Sequence, residues 1–279
     1  MFDNILNIYK DKVITDVDTF DIDNNYYFYN EHGKIFGIKK GLSTSEYQLL
    51  KSIYLEKTFY YNDQLTEKFH KFVFEEKAYP LEYERGRFFI INTLQNDINE
   101  HLLNLLKDIL GEIIILKMNQ SQIIFYFDNF GYELKDLINT FSDDTGTEIN
   151  IHLGPYFNRN IKGALIAKYI YTYSSLPLLH KRNYSTFVDL MMALPQELYF
   201  DVIKIIQQMV LSNLDNDLIP LIKEFFKNNL NVSQTAKLNY LHRNSLINKL
   251  DLITKQTGLN IQEFHDAWAM NLLINANCL

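Results

Sequence analysis

One face of a predicted helix near the C-terminal end carries side chains that could bind nucleic acid. Apolar residues recur at Leu246, Leu250 and Ile253, which is the spacing of a buried helical face. The polar side chains between them point the other way, where they could bond to phosphates and base edges. These polar residues are His242, Arg243, Asn244, Ser245, Asn248 and Lys249. A single helix fits the major groove of DNA, so the pattern indicates a nucleic-acid interface.

A shorter helix is predicted immediately before this one. Asn231 is followed three residues later by Gln234, and this pair forms a capping box that predicts a helix start. Val232 and Ala236 lie four residues apart, so both belong to the inner face of the helix. Because alanine is small, a second helix can cross closely at this point.

A tight turn must join the two helices. Asn239 and Tyr240 are predicted to form it, because asparagine tolerates left-handed backbone geometry, and Leu241 is predicted to point inward. The second helix is expected over residues 242–257, with Gly258 as its C-cap. Together these elements predict a helix-turn-helix.

The local charge distinguishes this motif from an ordinary helical hairpin with a solvated polar face. Within residues 231–258, Lys237, Arg243, Lys249 and Lys255 face only Asp251, so four cations against one anion give +3. The whole chain has a net charge of −7, which leaves −10 for all the other residues. A basic segment in an acidic protein is what local phosphate binding requires, so the charge favours DNA binding.

Residues 231–261, NVSQTAKLNYLHRNSLINKLDLITKQTGLNI, resemble the C-terminal helix-turn-helix of PucR/CdaR-type transcriptional regulators. The usual form of that motif is close to NVSxTAxxLxxHRNTLxYRLxxIxxxTGLDL, and its core also resembles the DNA-binding end of Fis-like proteins. The resemblance extends upstream through 217–226 and downstream through 264–273. Ser245 replaces the usual threonine, Ile247 and Asn248 replace an Arg-Tyr pair, and Asn239 replaces a leucine.

The resemblance implies a bacterial transcriptional regulator that binds double-stranded DNA as a homodimer. Ser233, Gln234 and Thr235 would lie near phosphates, because they begin the first helix and helix N-termini attract anions. Ile247 would remain at the DNA surface, where an apolar side chain can contact a thymine methyl group.

The composition excludes several classes of protein. A hydrophobic fraction of 47% and a charged fraction of 22% in 279 residues indicate a globular protein with a sizeable core. The single Cys278 excludes an internal disulfide, and seven scattered histidines predict no metal cluster. Neither a signal peptide nor an apolar run of membrane-spanning length is visible. We therefore expect a cytoplasmic protein without a membrane association, a metal or another cofactor.

The predicted fold class is α+β with several domains. Residues 1–84 form a small α+β unit, 85–175 a middle domain, 176–213 a helical linker and 214–279 an all-α helix-turn-helix domain. In the N-terminal unit, residues 26–29 and 35–38 read as a hairpin with a turn at 31–33. A capping box at Ser43 and Glu46 then begins a helix that extends through Tyr54. Packing or dimerisation is the expected role of this unit, with small-molecule sensing as the alternative.

The middle domain is predicted to have the ferredoxin-like βαββαβ plan with one further helix. Its apolar strands suit a sheet that helices cover on one side. The strands are expected at 87–94, 111–118, 121–127 and 148–153, and the helices at 96–110, 131–141 and 161–173. PucR/CdaR-type regulators contain a degenerate domain of this kind that resembles the GGDEF domain of diguanylate cyclases.

Catalysis by this domain is not expected. A cyclase places glycines and acidic residues between its second and third strands, where they hold nucleotide and metal. Residues 118–122, MNQSQ, contain neither, and the first strand ends in Asn92 and Thr93 where a metal-binding aspartate would be required. Transfer of a phosphoryl group would lack the metal ions that neutralise its charge. The sequence therefore predicts a protein that is not an enzyme.

Residues 197–211 form a strongly amphipathic helix. Its apolar stripe is more typical of a core inside the chain than of an interface between two chains, although it would also suit a dimer. The stripe consists of Leu198, Val202, Ile205, Ile206, Met209 and Val210.

Two functions are the leading candidates, and a third is a residual nucleotide-binding module in the middle domain. The first is a sequence-specific DNA-binding regulator that responds to an unidentified small-molecule or protein effector. The alternative is a regulatory interaction protein whose helix-turn-helix no longer binds DNA, which the total charge of −7 and the substitutions at 247 and 248 would favour.

Overall fold

The structure is a computed structural model that describes residues 2–15, 25–29, 35–57, 64–92, 100–118, 121–127, 134–145 and 149–276. Within these ranges, helices alternate with two β-sheets, and the C-terminal part is entirely helical. The predicted α+β class is therefore confirmed. The predicted turn at 31–33, the connection at 119–120, Thr93 and Cys278 lie outside the described residues.

The N-terminal unit contains a four-stranded antiparallel sheet with the order β1-β3-β2-β4. Tyr27 pairs with Gly37, so the predicted hairpin strands are neighbours. Ser43 caps helix α2, since its Oγ accepts a bond from the Glu46 N–H and the Glu46 carboxylate accepts one from the Ser43 N–H. The elements are α1 (Phe2–Tyr9), a 3-10 turn (Lys10–Lys12), β1 (Val13–Ile14), β2 (Asn25–Tyr29), β3 (Ile35–Lys39), α2 (Thr44–Ile53) and β4 (Leu55–Lys57).

Helix α3 (Gln64–Phe74) follows, in a segment whose sequence predicts no regular element. Its apolar side chains are largely aromatic, and the aromatic residues on both sides of the helix obscure the periodicity. Phe69, Phe72 and Val73 are buried against the middle domain. The helix therefore connects the N-terminal unit to the core of the chain.

The middle domain has a five-stranded sheet with the order β6-β7-β5-β8-β9. Its first four strands are antiparallel and have the order of the predicted ferredoxin-like plan, while β9 adds a parallel edge strand. The strands are β5 (Arg85–Asn92), β6 (Ile113–Met118), β7 (Ser121–Tyr126), β8 (Asn150–Asn158) and β9 (Tyr184–Thr186). The helices are α4 (Glu100–Leu110), α5 (Leu134–Thr145) and α6 (Gly163–Ser174).

Helices cover both faces of this sheet, so the expectation of a sheet covered on one side is wrong. Phe89 and Ile91 face a core that includes residues of α4 and α5. Phe88 and Ile90 face the opposite way, into a core shared with α3 and α6. Residues 88–91 are all apolar and do not alternate, and such a run indicates burial on both faces.

The segment predicted as a helical linker contributes to that second core. It contains α7 (Pro177–His180), α8 (Phe187–Ala193) and α9 (Gln196–Leu211). Leu198 of the predicted stripe of α9 remains exposed, whereas its other members are buried inside the chain: Val202, Ile205, Ile206, Met209 and Val210. This side of the helix is therefore core, as the amphipathic pattern favoured.

The same core continues into four C-terminal helices. Met270 and Leu273 are buried within it, and the Gln207 Nε2 donates a hydrogen bond of 2.6 Å to the Leu273 carbonyl. The predicted domain limits remain a prediction, but one hydrophobic core contains residues from both sides of the limit at residue 213. The helices are α10 (Leu218–Lys227), α11 (Val232–Leu238), α12 (Arg243–Thr257) and α13 (Phe264–Asn275).

A buried histidine ties strand β8 to its neighbours. The His152 Nδ1 lies 2.9 Å from the Ser185 Oγ, and its Nε2 lies 2.7 Å from the Tyr169 hydroxyl. Its ring stacks on Tyr173 at a centroid distance of 4.0 Å. Burial disfavours the charged imidazolium and lowers the pKa of His152 to about 3, with a smaller contribution from His180. The side chain is therefore neutral in the folded protein.

The described residues contain no helix that is both long enough and apolar enough to cross a membrane. In the same part of the chain, no three His, Cys, Asp or Glu side chains are arranged to hold a metal ion. The Asn92 amide, at the position where a cyclase would carry a metal-binding aspartate, instead donates a 2.6 Å hydrogen bond to the Tyr173 hydroxyl.

Candidate nucleic-acid interface

Helix α11 begins where the sequence predicts. Asn231 is its N-cap, and the Asn231 Oδ1 accepts a hydrogen bond of 3.0 Å from the Gln234 N–H. Ala236 is buried and Val232 packs against the edge of the same core. Both therefore lie on the inner face, as expected.

The turn after α11 differs from the prediction in one respect. The left-handed residue is Tyr240, with φ of +54°, whereas Asn239 has φ of −94°. The Leu241 N–H donates to the Ala236 carbonyl at 2.8 Å, and the Tyr240 N–H donates to the Lys237 carbonyl at 3.2 Å. These two bonds form a Schellman motif, which places the residue after the C-cap in left-handed geometry.

Helix α12 has the predicted buried stripe. Leu246, Leu250, Ile253 and Thr257 are all buried. The helix starts at Arg243, one residue later than expected, because His242 is the N-cap and its Nδ1 accepts a bond from the Asn244 N–H.

Gly258 ends α12 as predicted. Its φ is +76°, and its N–H donates a 2.8 Å bond to the Thr254 carbonyl. A side chain at this position would also have no room, because a Cβ would lie 2.9 Å from the Tyr156 Cε2 and 3.0 Å from the Arg87 Nη2. Glycine is therefore required here by backbone conformation and by packing.

Most of the predicted contact residues are exposed, at the start of α11 and over the first half of α12 with its N-cap. Ile247 and Lys249 are partly buried, and Ile247 is outside the core cluster. The exposed residues are Ser233, Gln234, His242, Arg243, Asn244, Ser245 and Asn248.

Thr235 does not belong to the exposed group. Its side chain has no exposed surface, and its N–H already donates to the Asn231 carbonyl. The prediction that its side chain lies near phosphates is therefore corrected. Thr235 and Ala236 are both buried, so the buried face of this seven-residue helix is wide. The spacing of Val232 and Ala236 alone does not predict that width.

We expect Thr235→Val to leave DNA affinity unchanged and to maintain or raise the free energy of unfolding. The Thr235 Oγ1 is buried and has no hydrogen-bond partner among the described residues. Replacing an unpaired buried hydroxyl by a methyl group of similar shape removes a desolvation cost of about 1–3 kcal/mol. Urea unfolding with duplex titration measures both quantities. A variant that folds normally but binds DNA more weakly would return Thr235 to the interface.

The far end of α12 is fixed to the middle domain by residues that sequence analysis did not select. The Arg85 Nη1 donates a 3.1 Å bond to the Lys255 carbonyl in the last turn of the helix. The Arg87 guanidinium lies 4.4 Å from the Tyr156 ring centroid, and its Nε donates to the Gly154 carbonyl. The sequence feature that could have identified these residues is the pair of arginines at the start of an otherwise apolar strand.

The loop before α10 provides a second attachment. The Gln256 Nε2 donates a 2.7 Å bond to the Asp215 carboxylate, and the Asp215 N–H donates to the Gln256 Oε1 at 3.1 Å. Helix α12 is thus held at its C-terminal end, while its N-terminal half presents polar side chains to solvent. This arrangement defines a helix-turn-helix with one open face.

Comparison with known proteins agrees with this assignment. Residues 218–276 match the family model of the PucR C-terminal helix-turn-helix domain, so the chain carries a domain of this family. The predicted resemblance is confirmed for this region, and it supports a transcriptional regulator. The resemblance of the middle domain to a degenerate GGDEF domain remains a prediction.

One solved structure similar to this chain is the Regulator of Polyketide Synthase Expression from Bifidobacterium adolescentis. The two share 12% sequence identity with a TM-score of 0.33, and the match covers 71% of this chain and 82% of the other. No curated protein sequence matches the chain.

Proposed function

We propose that the protein is a sequence-specific DNA-binding transcriptional regulator that acts as a homodimer. The observation that carries this proposal is the open polar face of α12, which is exposed at one end of a helix whose other end is fixed. A helix presented in this way can enter the major groove without unfolding any part of the core. The matched helix-turn-helix domain supports the same function.

Arg243 is the strongest candidate for reading a base. It is exposed at the first position of α12, and its guanidinium forms no ion pair with any described residue. A free guanidinium can bond to both the O6 and N7 of guanine, which is the commonest specific contact in the major groove. Asn248 is exposed further along the same helix, and its amide can bond to both N6 and N7 of adenine.

The other exposed residues are assigned to phosphates and flanking bases. Ser233 and Gln234 lie at the start of α11, while Asn244 and Ser245 lie in the first turn of α12. Lys249 would supply a positive charge for the backbone, and His242 has its Nε2 available because its Nδ1 caps the helix.

Ile247 is assigned an apolar contact at the border of this surface. It is partly buried, although it is absent from the core around Leu246 and Leu250. A thymine methyl group is the feature of the major groove that such a side chain would meet.

Two copies of the chain are needed for useful specificity. One recognition helix contacts only a few base pairs, and dimers of such domains bind half-sites about one helical turn apart. Residues 231–258 carry +3 against −10 for the rest of the chain, so long-range electrostatics favour approach of DNA through this motif.

The other two units are assigned a regulatory role and no catalysis. The bond from Arg85 to the Lys255 carbonyl, and the packing of Arg87 and Tyr156 against Gly258, connect the central sheet directly to the end of α12. An unidentified small-molecule or protein effector that displaced strand β5 or β8 would therefore change the position of the recognition helix.

Selection of bound duplexes from a random library by the full chain tests this proposal. We expect enrichment of paired half-sites with centres about 10–10.5 base pairs apart. The double variant Arg243→Ala, Asn248→Ala provides the control, and it should enrich no sequence. If the natural chain also enriches none, the alternative of a regulatory interaction protein that does not bind DNA replaces the proposal.

A further inference from the structure

Tyr240 occupies a backbone position that normally belongs to glycine. It follows the C-cap of α11 in a Schellman motif, with φ of +54°. A left-handed conformation brings Cβ close to the following carbonyl, so glycine is preferred at this point and a bulky residue is rare. The chain therefore retains a tyrosine where glycine would give a more stable turn.

The Tyr240 side chain does not offset this strain by packing. It is 98% exposed, and it has no hydrogen bond with the described residues. Leu230 provides the contrast, since it also has a left-handed backbone, with φ of +61°, but packs against the main core. Such backbone strain clusters at functional sites, so the surroundings of Tyr240 decide whether it has a function.

The position of Tyr240 indicates what that function is. It precedes Leu241, which packs against the core, and lies two residues before His242, the N-cap of α12. Tyr240 therefore lies exposed at the same end of α12 that presents Arg243. The fifteen-residue helix α12 also directs the positive end of its dipole toward this region.

We infer that Tyr240 is a DNA-contacting residue whose hydroxyl donates a hydrogen bond to a phosphate oxygen beside the major groove. Its ring would cover the neighbouring deoxyribose. Tyrosine hydroxyls are among the groups that position a protein on the phosphate backbone. This inference rests on the proposed function, because it requires that α12 enter the groove.

Two substitutions separate the contact from the strain. Tyr240→Gly removes the side chain and relieves the backbone, so we expect a melting temperature about 1–3 °C higher together with weaker duplex binding. Tyr240→Phe removes only the hydroxyl, and we expect unchanged stability with affinity lowered about tenfold, or about 1.4 kcal/mol. Because Tyr240→Gly should raise the melting temperature while it weakens duplex binding, a general loss of folding cannot explain the weaker binding.

Glu76→Gly is the matched control, because Glu76 is exposed and has φ of +53° far from α12 in sequence. It should raise the melting temperature as Tyr240→Gly does, while duplex affinity stays unchanged. In addition, the salt dependence of binding should keep its slope in Tyr240→Phe, since a neutral hydroxyl releases no counterion.

The outcomes distinguish this inference from the proposed function. If the unaltered chain binds no duplex, the proposed function fails. If the unaltered chain binds a selected duplex and both Tyr240 variants bind equally well, only the inference about Tyr240 fails. If Tyr240→Phe binds as tightly as the unaltered chain while Tyr240→Gly binds weakly, the phosphate contact is overturned.

Discussion

Replacing Arg243 by alanine is expected to remove sequence-specific binding while the protein stays folded. The side chain is exposed and unpaired among the described residues, so its loss should change the free energy of unfolding by no more than about 0.5 kcal/mol. A bidentate guanine contact contributes about 1–3 kcal/mol of discrimination. Because a homodimer would make this contact in each half-site, the loss doubles to about 2–6 kcal/mol when separate positions add.

The measurement is the ratio of affinities for a selected duplex and a shuffled one. Lys255→Ala is the matched control, because it removes the same charge from the fixed end of α12. We expect the ratio to collapse in Arg243→Ala and to persist in the control. An unchanged ratio in a folded Arg243→Ala variant would show that this residue does not read bases.

The second large effect is a loss of stability in mild acid caused by His152. Burial lowers its folded-state pKa to about 3, whereas an unfolded chain has the ordinary value near 6.5. As the pH falls below 6.5, the unfolded state binds a proton that the folded state cannot bind. The contribution to stability is therefore complete above about pH 6.5 and decreases by about 1.4 kcal/mol for each pH unit below it.

Urea unfolding of the natural chain and of His152→Gln between pH 7 and about pH 4.5 measures this effect. Carboxyl groups change stability equally in both proteins, so the difference in slope belongs to His152. If His152→Gln unfolds too readily to be compared, the imidazole resonances of the natural chain supply the test. Titration of the His152 ring with an ordinary pKa in the folded protein would contradict the prediction.

The helix-turn-helix was predictable because its signals are local. Asn231 caps its own helix, Gly258 ends the next one, and the stripe beginning at Leu246 repeats within a single helix. Each of these features depends on residues a few positions apart, so the sequence contains the whole interaction.

The remaining features depend on contacts between distant parts of the chain. Thr235 is buried because a second packing surface covers α11, and the bond from Arg85 to the Lys255 carbonyl spans 170 residues. The burial of both sheet faces also requires helices from four different segments. Periodicity within one element cannot reveal which other element will cover it.

Tyr240 shows that some features of the helix-turn-helix itself could not be predicted from local sequence. Asparagine tolerates left-handed geometry better than tyrosine, so propensity assigned that conformation to Asn239. The hydrogen bonds that end α11 instead place Tyr240 in the left-handed position. Tertiary fixation of Leu241 and the cap of α12 determine where the turn falls, and the strain on Tyr240 follows from them.

The most direct test of the proposed DNA recognition is the affinity of the full chain for a selected and a shuffled duplex across a salt series. Fluorescence anisotropy between about 50 and 200 mM salt would measure both affinities. We predict that the selected duplex binds at least about a thousandfold tighter and that both affinities decrease linearly with the logarithm of salt concentration. Equal affinity for the two duplexes, or no binding to either at low salt, would contradict the assignment of α12 as a DNA-reading helix.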